Sequence, residues 1–166
     1  MKIKIKKIRN TAIVPEFKTE GAVAMDFHAS LDGMKQGTRG LGDREYVLLP
    51  RASMPIPLGI AVQLEPGYEM RIRPRSSILL QGVTIATLDA FDDEGFAGTI
   101  DSDYRGELHA ILHNLSDKPF VIADGQRICQ GVISRVECLA NGLEMELVDE
   151  LDPTERGEKR FGHTGK

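Results

Sequence analysis

Ten residues of this chain, Gly98-Thr99-Ile100-Asp101-Ser102-Asp103-Tyr104-Arg105-Gly106-Glu107, bring together a carboxylate, an aromatic ring, a cation and two turn-forming glycines. Thr99 and Ile100 flank the acid with β-branched side chains, so the approach to Asp101 reads as extended. Asp-Ser-Asp then favours a turn, because these short side chains bond nearby backbone N–H groups. The run Leu108-His109-Ala110-Ile111-Leu112-His113 reads as a strand with Leu108, Ala110 and Leu112 on one face. An acid on a tight bend between two buried strands is where a scaffold can hold a reactive group still. Alone, such a stretch is more often a polar hairpin turn, so its meaning depends on the rest of the chain.

A second grouping is Pro74-Arg75-Ser76-Ser77, where Arg75 or Ser76 can cap a short helix that Gly82 closes. A helix start offers unused N–H groups, and Arg adds a fork suited to phosphate. A third is the tail Gly157-Glu158-Lys159-Arg160-Phe161-Gly162-His163-Thr164, which has His163 where a P-loop needs Lys and leaves no room for the helix that must follow. Its glycines and cations could still wrap anionic oxygens. The acidic loop 89–94 lacks the EF-hand glycine, since Ala97 stands at the sixth position from Asp92. His109 and His113 lie roughly 13 Å apart on a strand, too far to share a metal. No Gly-x-Ser-x-Gly elbow or Cys/His dyad signals covalent catalysis.

The elements that must hold these groups read as β. The chain has 166 residues, one domain by length, with 41% hydrophobic and 28% charged residues. Seventeen glycines and eight prolines are spread throughout and there is no Trp, so many short strands should enclose an aliphatic core. Strands are expected at residues 2–8 (Ile3 and Ile5 inward), 22–29, 46–49, 58–64, 68–73, 83–87, 108–113, 120–122, 127–133 and 143–148. Asp26 sits alone in the apolar run of the second strand and must be paired or well hydrogen-bonded. The helix after Pro74 is the one helix expected, which makes the fold all-β, a β-barrel or jelly-roll-like sandwich. Cys129 and Cys138 fit neither a CxxC motif nor a disulfide framework, and Cys129 reads as a small core residue. A net charge of −4 argues against a nucleic-acid binder. No signal-peptide core or membrane-length apolar run is present, so a cytoplasmic protein without membrane association is expected.

In chain order these segments resemble the five motifs of the trimeric deoxyuridine triphosphate nucleotidohydrolases (dUTPases). The motifs are similar to Ala24-Met25-Asp26-Phe27-His28-Ala29, Pro74-Arg75-Ser76-Ser77, Gly98–Glu107, Gly125-Gln126-Arg127-Ile128-Cys129-Gln130 and 156–165. The resemblance implies a jelly-roll-like β-barrel over residues 1–150, with insert loops at about 32–45 and 87–96. It also implies a flexible arm, 151–166, that closes the active site, and a homotrimer whose sites draw on more than one chain. The implied reaction cleaves dUTP to dUMP and pyrophosphate, with Mg²⁺ held by substrate phosphates and water rather than by the protein. Asp101 would be the general base. Arg75, Ser76, Ser77 and Gln130 would hold phosphates or the attacking water. Tyr104 would lie under the deoxyribose, and the backbone of Gly98, Thr99 and Ile100 would read the uracil edge. Phe161 would stack on the base, while Arg156, Gly162, His163 and Thr164 would hold the far phosphates; Asp26 would organise the site. Ser77 and Ala24 stand where the family usually has Gly, and Arg160 and His163 replace a Gly and a Ser. Two rival expectations share the scaffold: an enzyme of other base preference, such as a dCTP deaminase, and a non-catalytic nucleotide-binding regulator.

Overall fold

A computed structural model describes residues 1–34, 44–86, 98–154 and 157. Eleven strands account for most of its regular structure: β1 Lys4–Lys7, β2 Ala24–His28, β3 Glu45–Leu48, β4 Ser53–Pro57, β5 Ile60–Gln63, β6 Tyr68–Pro74, β7 Val83–Ile85, β8 Thr99–Ile100, β9 His109–Asn114, β10 Phe120–Ala123 and β11 Arg127–Arg135. One short helix, α1 Ser76–Leu79, follows β6, and a 3₁₀ turn spans Leu139–Asn141. The all-β, jelly-roll-like expectation with one short helix holds.

The strands form four antiparallel ladders, ordered β2-β11-β6-β8, β4-β9-β7, β1-β5 and β3-β10. Among the described residues no two strands consecutive in sequence pair with each other. Each tight turn therefore hands the chain from one sheet to another. Gly67 and Gly125, at φ of +82° and +77°, make two of these handovers with a backbone that other residues rarely adopt. The core is aliphatic, as a Trp-free chain requires; Ile56, Ile60, Leu108, Leu112, Ile122 and Ile128 are fully buried. Phe27 is the large ring at its centre. It lies across Gly131 of β11, where a Cβ would come within 2.5 Å of Phe27 Cε2 and 3.0 Å of Met70 Sδ.

Several expectations are corrected. β4 is a strand that the sequence hides, because Pro55 and Pro57 remove two ladder donors. Both prolines are tolerated because β4 is the edge of its sheet and pairs only with β9. Pro57 turns its carbonyl outward to accept the N–H of Ser30 at 2.8 Å. The strand expected at 58–64 is confined to Ile60–Gln63, because Gly59 (φ +70°) breaks it from β4. Ile5 does not face inward: it is 37% exposed, and Ile3 alone of that pair packs against the core. Residues 143–148 form no strand, and Met145 and Leu147 stand 84% and 100% exposed. The Asp-Ser-Asp turn does not close a hairpin between its flanking strands, since β8 pairs with β6 while β9 pairs with β4 and β7.

Candidate active site

The described site residues fall into two groups at opposite ends of β6. The first gathers on Asp26 in β2, a carboxylate only 3% exposed. Its Oδ1 accepts Arg75 Nε at 2.9 Å and Gln130 Nε2 at 3.1 Å, and its Oδ2 accepts Arg127 Nη1 at 3.0 Å. Burial alone would push the Asp26 carboxyl up. Donation from Gln130 and Arg127, with the charge of Arg75, outweighs it and holds the group below its ordinary value. One carboxylate between two guanidiniums leaves a positive charge in excess, which is what a phosphate chain needs.

Local geometry explains this convergence. Gln130 lies opposite Asp26 across the β11–β2 ladder. The register shifts between Arg127 and Cys129, the signature of a β-bulge, so Arg127 and Gln130 reach one acid although they stand three residues apart. Arg127 is the member of this group that the sequence reading passed over, because strict strand alternation puts it on the other face from Gln130. Arg75 occupies the N-cap position of α1, with extended backbone (φ −82°, ψ 142°) and no side-chain cap. Its Nη1 also donates to Ser77 Oγ at 3.2 Å. Ser76 and Ser77 are exposed on the first turn, where the N–H groups of Ile78 and Leu79 donate to the Arg75 carbonyl at 3.1 Å and 3.0 Å.

The second group surrounds a pocket of about 130 Å³ lined by Gly98, Thr99, Ile100, Asp101 and Tyr104, with Ile72, Ile85 and Ile111 as an apolar floor. That is close to the ~150 Å³ of a cavity that takes up benzene, so it has room for about one pyrimidine-sized ring. Gly98, at φ +66°, turns its carbonyl onto the N–H of Ile72 at 2.8 Å. Asp101 is exposed at the lip of this pocket. The N–H of Tyr104 donates to the Asp101 carbonyl at 3.2 Å and closes the turn. Arg105 folds back on the same turn, with Nη1 donating to the carbonyls of Ser102 and Tyr104, each at 2.8 Å.

Glu107 and His109 also line the pocket and were not singled out as site residues by sequence. Glu107 is a carboxylate in the right place for a base, but Arg9 occupies both of its oxygens, at 2.5 Å and 2.9 Å. Arg156, Phe161, Gly162, His163 and Thr164 lie outside the described residues, as do residues 35–43 and 87–97 of the two insert loops. Among the described residues no cluster of three or more His, Cys, Asp or Glu side chains could hold a metal. No helix among them is long and apolar enough to cross a membrane.

The dUTPase family model matches residues 42–165. The deoxyuridine 5′-triphosphate nucleotidohydrolase of Syntrophotalea carbinolica is 39% identical over 98% of this chain and 96% of its own length. The chain belongs to the dUTPase family. The nucleotidohydrolase of Fusobacterium nucleatum is 37% identical over 99% of both chains. Among solved structures, a dUTPase variant of Staphylococcus bacteriophage 80alpha bound to dUpNHpp superposes with a TM-score of 0.77 at 22% identity, covering 99% of both chains. A dUTPase from phage phi11 of S. aureus, described with a structural Mg(II) ion, superposes at 0.71 and 17% identity over 92% of this chain and all of that one. These two likenesses speak for the fold; the sequence relatives carry the family.

Proposed function

We propose that this protein hydrolyses dUTP to dUMP and pyrophosphate. The observation that carries the reading is Asp101, exposed at the lip of a pocket sized for one pyrimidine, in a chain of the dUTPase family. Uracil enters the pocket against the backbone of Gly98, Thr99 and Ile100, and Tyr104 lies under the deoxyribose. A water attacks the α-phosphorus and gives its proton to an Asp101 carboxylate oxygen. The bond from that phosphorus to the bridging oxygen breaks, and the pyrophosphate leaves with the electron pair. A placed base contributes ~10²–10⁴-fold to such a step. Arg75, Ser76, Ser77 and Gln130, held by Asp26, bind the phosphate oxygens and place the water. The arm residues Arg156, Phe161, Gly162, His163 and Thr164 close over the base and the far phosphates.

Mg²⁺ fits this site as a metal carried by the substrate. It commonly keeps several waters and binds one or two carboxylates together with phosphates. The Asp26 oxygens are already taken by three donors, so that carboxylate is not a ligand, and phosphate oxygens and water would hold the ion. When bound, the ion neutralises charge that develops on the leaving pyrophosphate.

The reading includes a homotrimer as the working unit, and the separation of the two groups within one chain supports a site shared between chains. Met70 pairs with Ile100 across β6 and β8. Asp101 is one residue beyond that pair in one direction and Arg75 five residues beyond it in the other, so they stand roughly 20 Å apart at strand rise. The base end of the nucleotide then meets one chain and the phosphate end another.

The test is a nucleotide panel. With Mg²⁺ the protein is expected to release pyrophosphate from dUTP much faster than from dCTP, dTTP or UTP. Asp101→Asn is expected to keep nucleotide binding and lose most turnover. Equal rates on all four nucleotides sink the base assignment, and near-normal turnover of the Asn variant removes Asp101 from its role.

A further inference from the structure

We propose that Arg9 is a positioning residue for Tyr104, acting through Glu107, and that this clamp sets how strongly the site rejects a 2′-hydroxyl. The inference rests on the reading that Tyr104 lies under the sugar. Tyr104 stands on a short turn, and its hydroxyl donates to the Glu107 carbonyl at 3.1 Å. Its ring covers Gly106, where a Cβ would sit 2.3 Å from the hydroxyl oxygen and 2.6 Å from Cζ. The tip of the ring thus rests against Gly106, with its hydroxyl tied to the Glu107 backbone.

Glu107 is fixed in turn by Arg9. The guanidinium makes a two-point fork on the carboxylate, Nε to Oε1 at 2.5 Å and Nη2 to Oε2 at 2.9 Å, and its Nη1 donates to the Asp32 carbonyl. The two side chains are 19% and 16% exposed, so the pair is largely shielded from water. Such forks fix geometry as well as adding energy. The Glu107 hydrogen bond holds the Arg9 guanidinium above its ordinary value against the opposing effect of burial.

The anchor at the far end is hydrogen-bonded and closely packed. The N–H groups of Ile8 and Arg9 donate to the Gly59 carbonyl at 2.7 Å and 3.2 Å. Gly59 is closely packed, since a Cβ there would meet Ser30 Oγ at 2.5 Å and Ala12 Cβ at 2.8 Å. Immediately beyond Glu107, the Leu108 N–H donates to Ile60 at 2.8 Å, and the Leu108 carbonyl accepts from Leu58 at 2.9 Å. The segment after β1, the residue before β5 and the turn under Tyr104 are therefore tied at residues 9, 59 and 107.

The test measures kcat/KM for dUTP and for UTP in Arg9→Ala, Arg9→Lys and Tyr104→Phe. Both Arg9 variants are expected to lower the dUTP-over-UTP ratio by about fivefold or more, a usual size for coupled neighbours. The double variant Arg9→Ala with Tyr104→Phe is expected to do no worse than the more affected single variant, because both act on one contact. Arg9→Lys keeps the charge and loses the fork, so it reports even where the Ala variant does not fold. A ratio unchanged in soluble, folded Arg9→Lys, with both rates falling in proportion, overturns the positioning role and leaves Arg9 a structural residue. Absence of dUTP turnover in the unmodified protein instead overturns the functional reading beneath it.

Discussion

His28 lies two residues from Asp26 on β2, and the pair makes the site's frame sensitive to acid. Burial, with Lys18 and Arg127 nearby, outweighs the pull of Asp26 and holds the His28 imidazole below its ordinary value. Its Nδ1 is buried without a hydrogen-bond partner among the described residues. As pH falls through about 6.5 the unfolded chain takes up a proton that the folded chain refuses, so stability present above that pH is lost below it. Asp26 is also depressed, so its contribution is present above about 4 and is lost as pH falls further, toward the depressed folded value. Thermal midpoints measured against pH should fall in two stages. His28→Leu should abolish the upper stage and leave the lower; an unchanged upper stage assigns it to another group. That Asp26 needed partners was legible from a lone acid in an apolar run. Which partners it has was not, because Arg127 reaches it only through a bulge, and Arg9 and Glu107 meet across 98 positions of sequence.

At the scale of elements, local chemistry was legible wherever a turn or periodicity is self-contained. The Pro66-Gly67 turn, the Asp124-Gly125 turn, the short helix after Pro74 and most strands stand where turn chemistry and alternation put them. Failures came where tertiary context overrides the local rule. β4 exists despite two prolines because it is an edge strand, and the place of Gly131 in β11 is explained by Phe27 lying across it. Gly131→Ala should therefore do harm where it would ordinarily help a strand. The new methyl meets a ring and a thioether packed at the centre of the core, and overpacking of this kind costs about 1–3 kcal/mol. A denaturant midpoint measured for the variant tests this; a midpoint equal to or above the parent's shows that Phe27 moves aside freely. Since β11 carries both Gln130 and Arg127, a shifted β11 should also weaken nucleotide binding.

At the scale of the molecule, the proposed homotrimer bears on two features. Residues 143–148 alternate as a strand does, Leu143, Met145 and Leu147 against Glu144 and Glu146, yet all six are exposed. The alternation is legible, and it meets no partner strand among the described residues; in the proposed homotrimer, addition to a sheet of a second copy would satisfy both its backbone and its apolar side chains. The proposed nucleotide site would be divided in the same way, with Asp101 and Arg75 roughly 20 Å apart at strand rise along β6. A shared site makes a prediction that a self-contained site cannot meet. Asp101→Asn and Arg75→Ala should each be nearly inactive as pure proteins. Co-refolded in equal amounts, they should regain activity, because the Arg75 variant supplies an intact Asp101 and the Asp101 variant an intact Arg75 across the same interface. Random assortment of chains in a closed symmetric ring gives about one competent site in four. If each site is built within one chain, every chain in the mixture carries a lesion and the activity stays at the level of the separate variants.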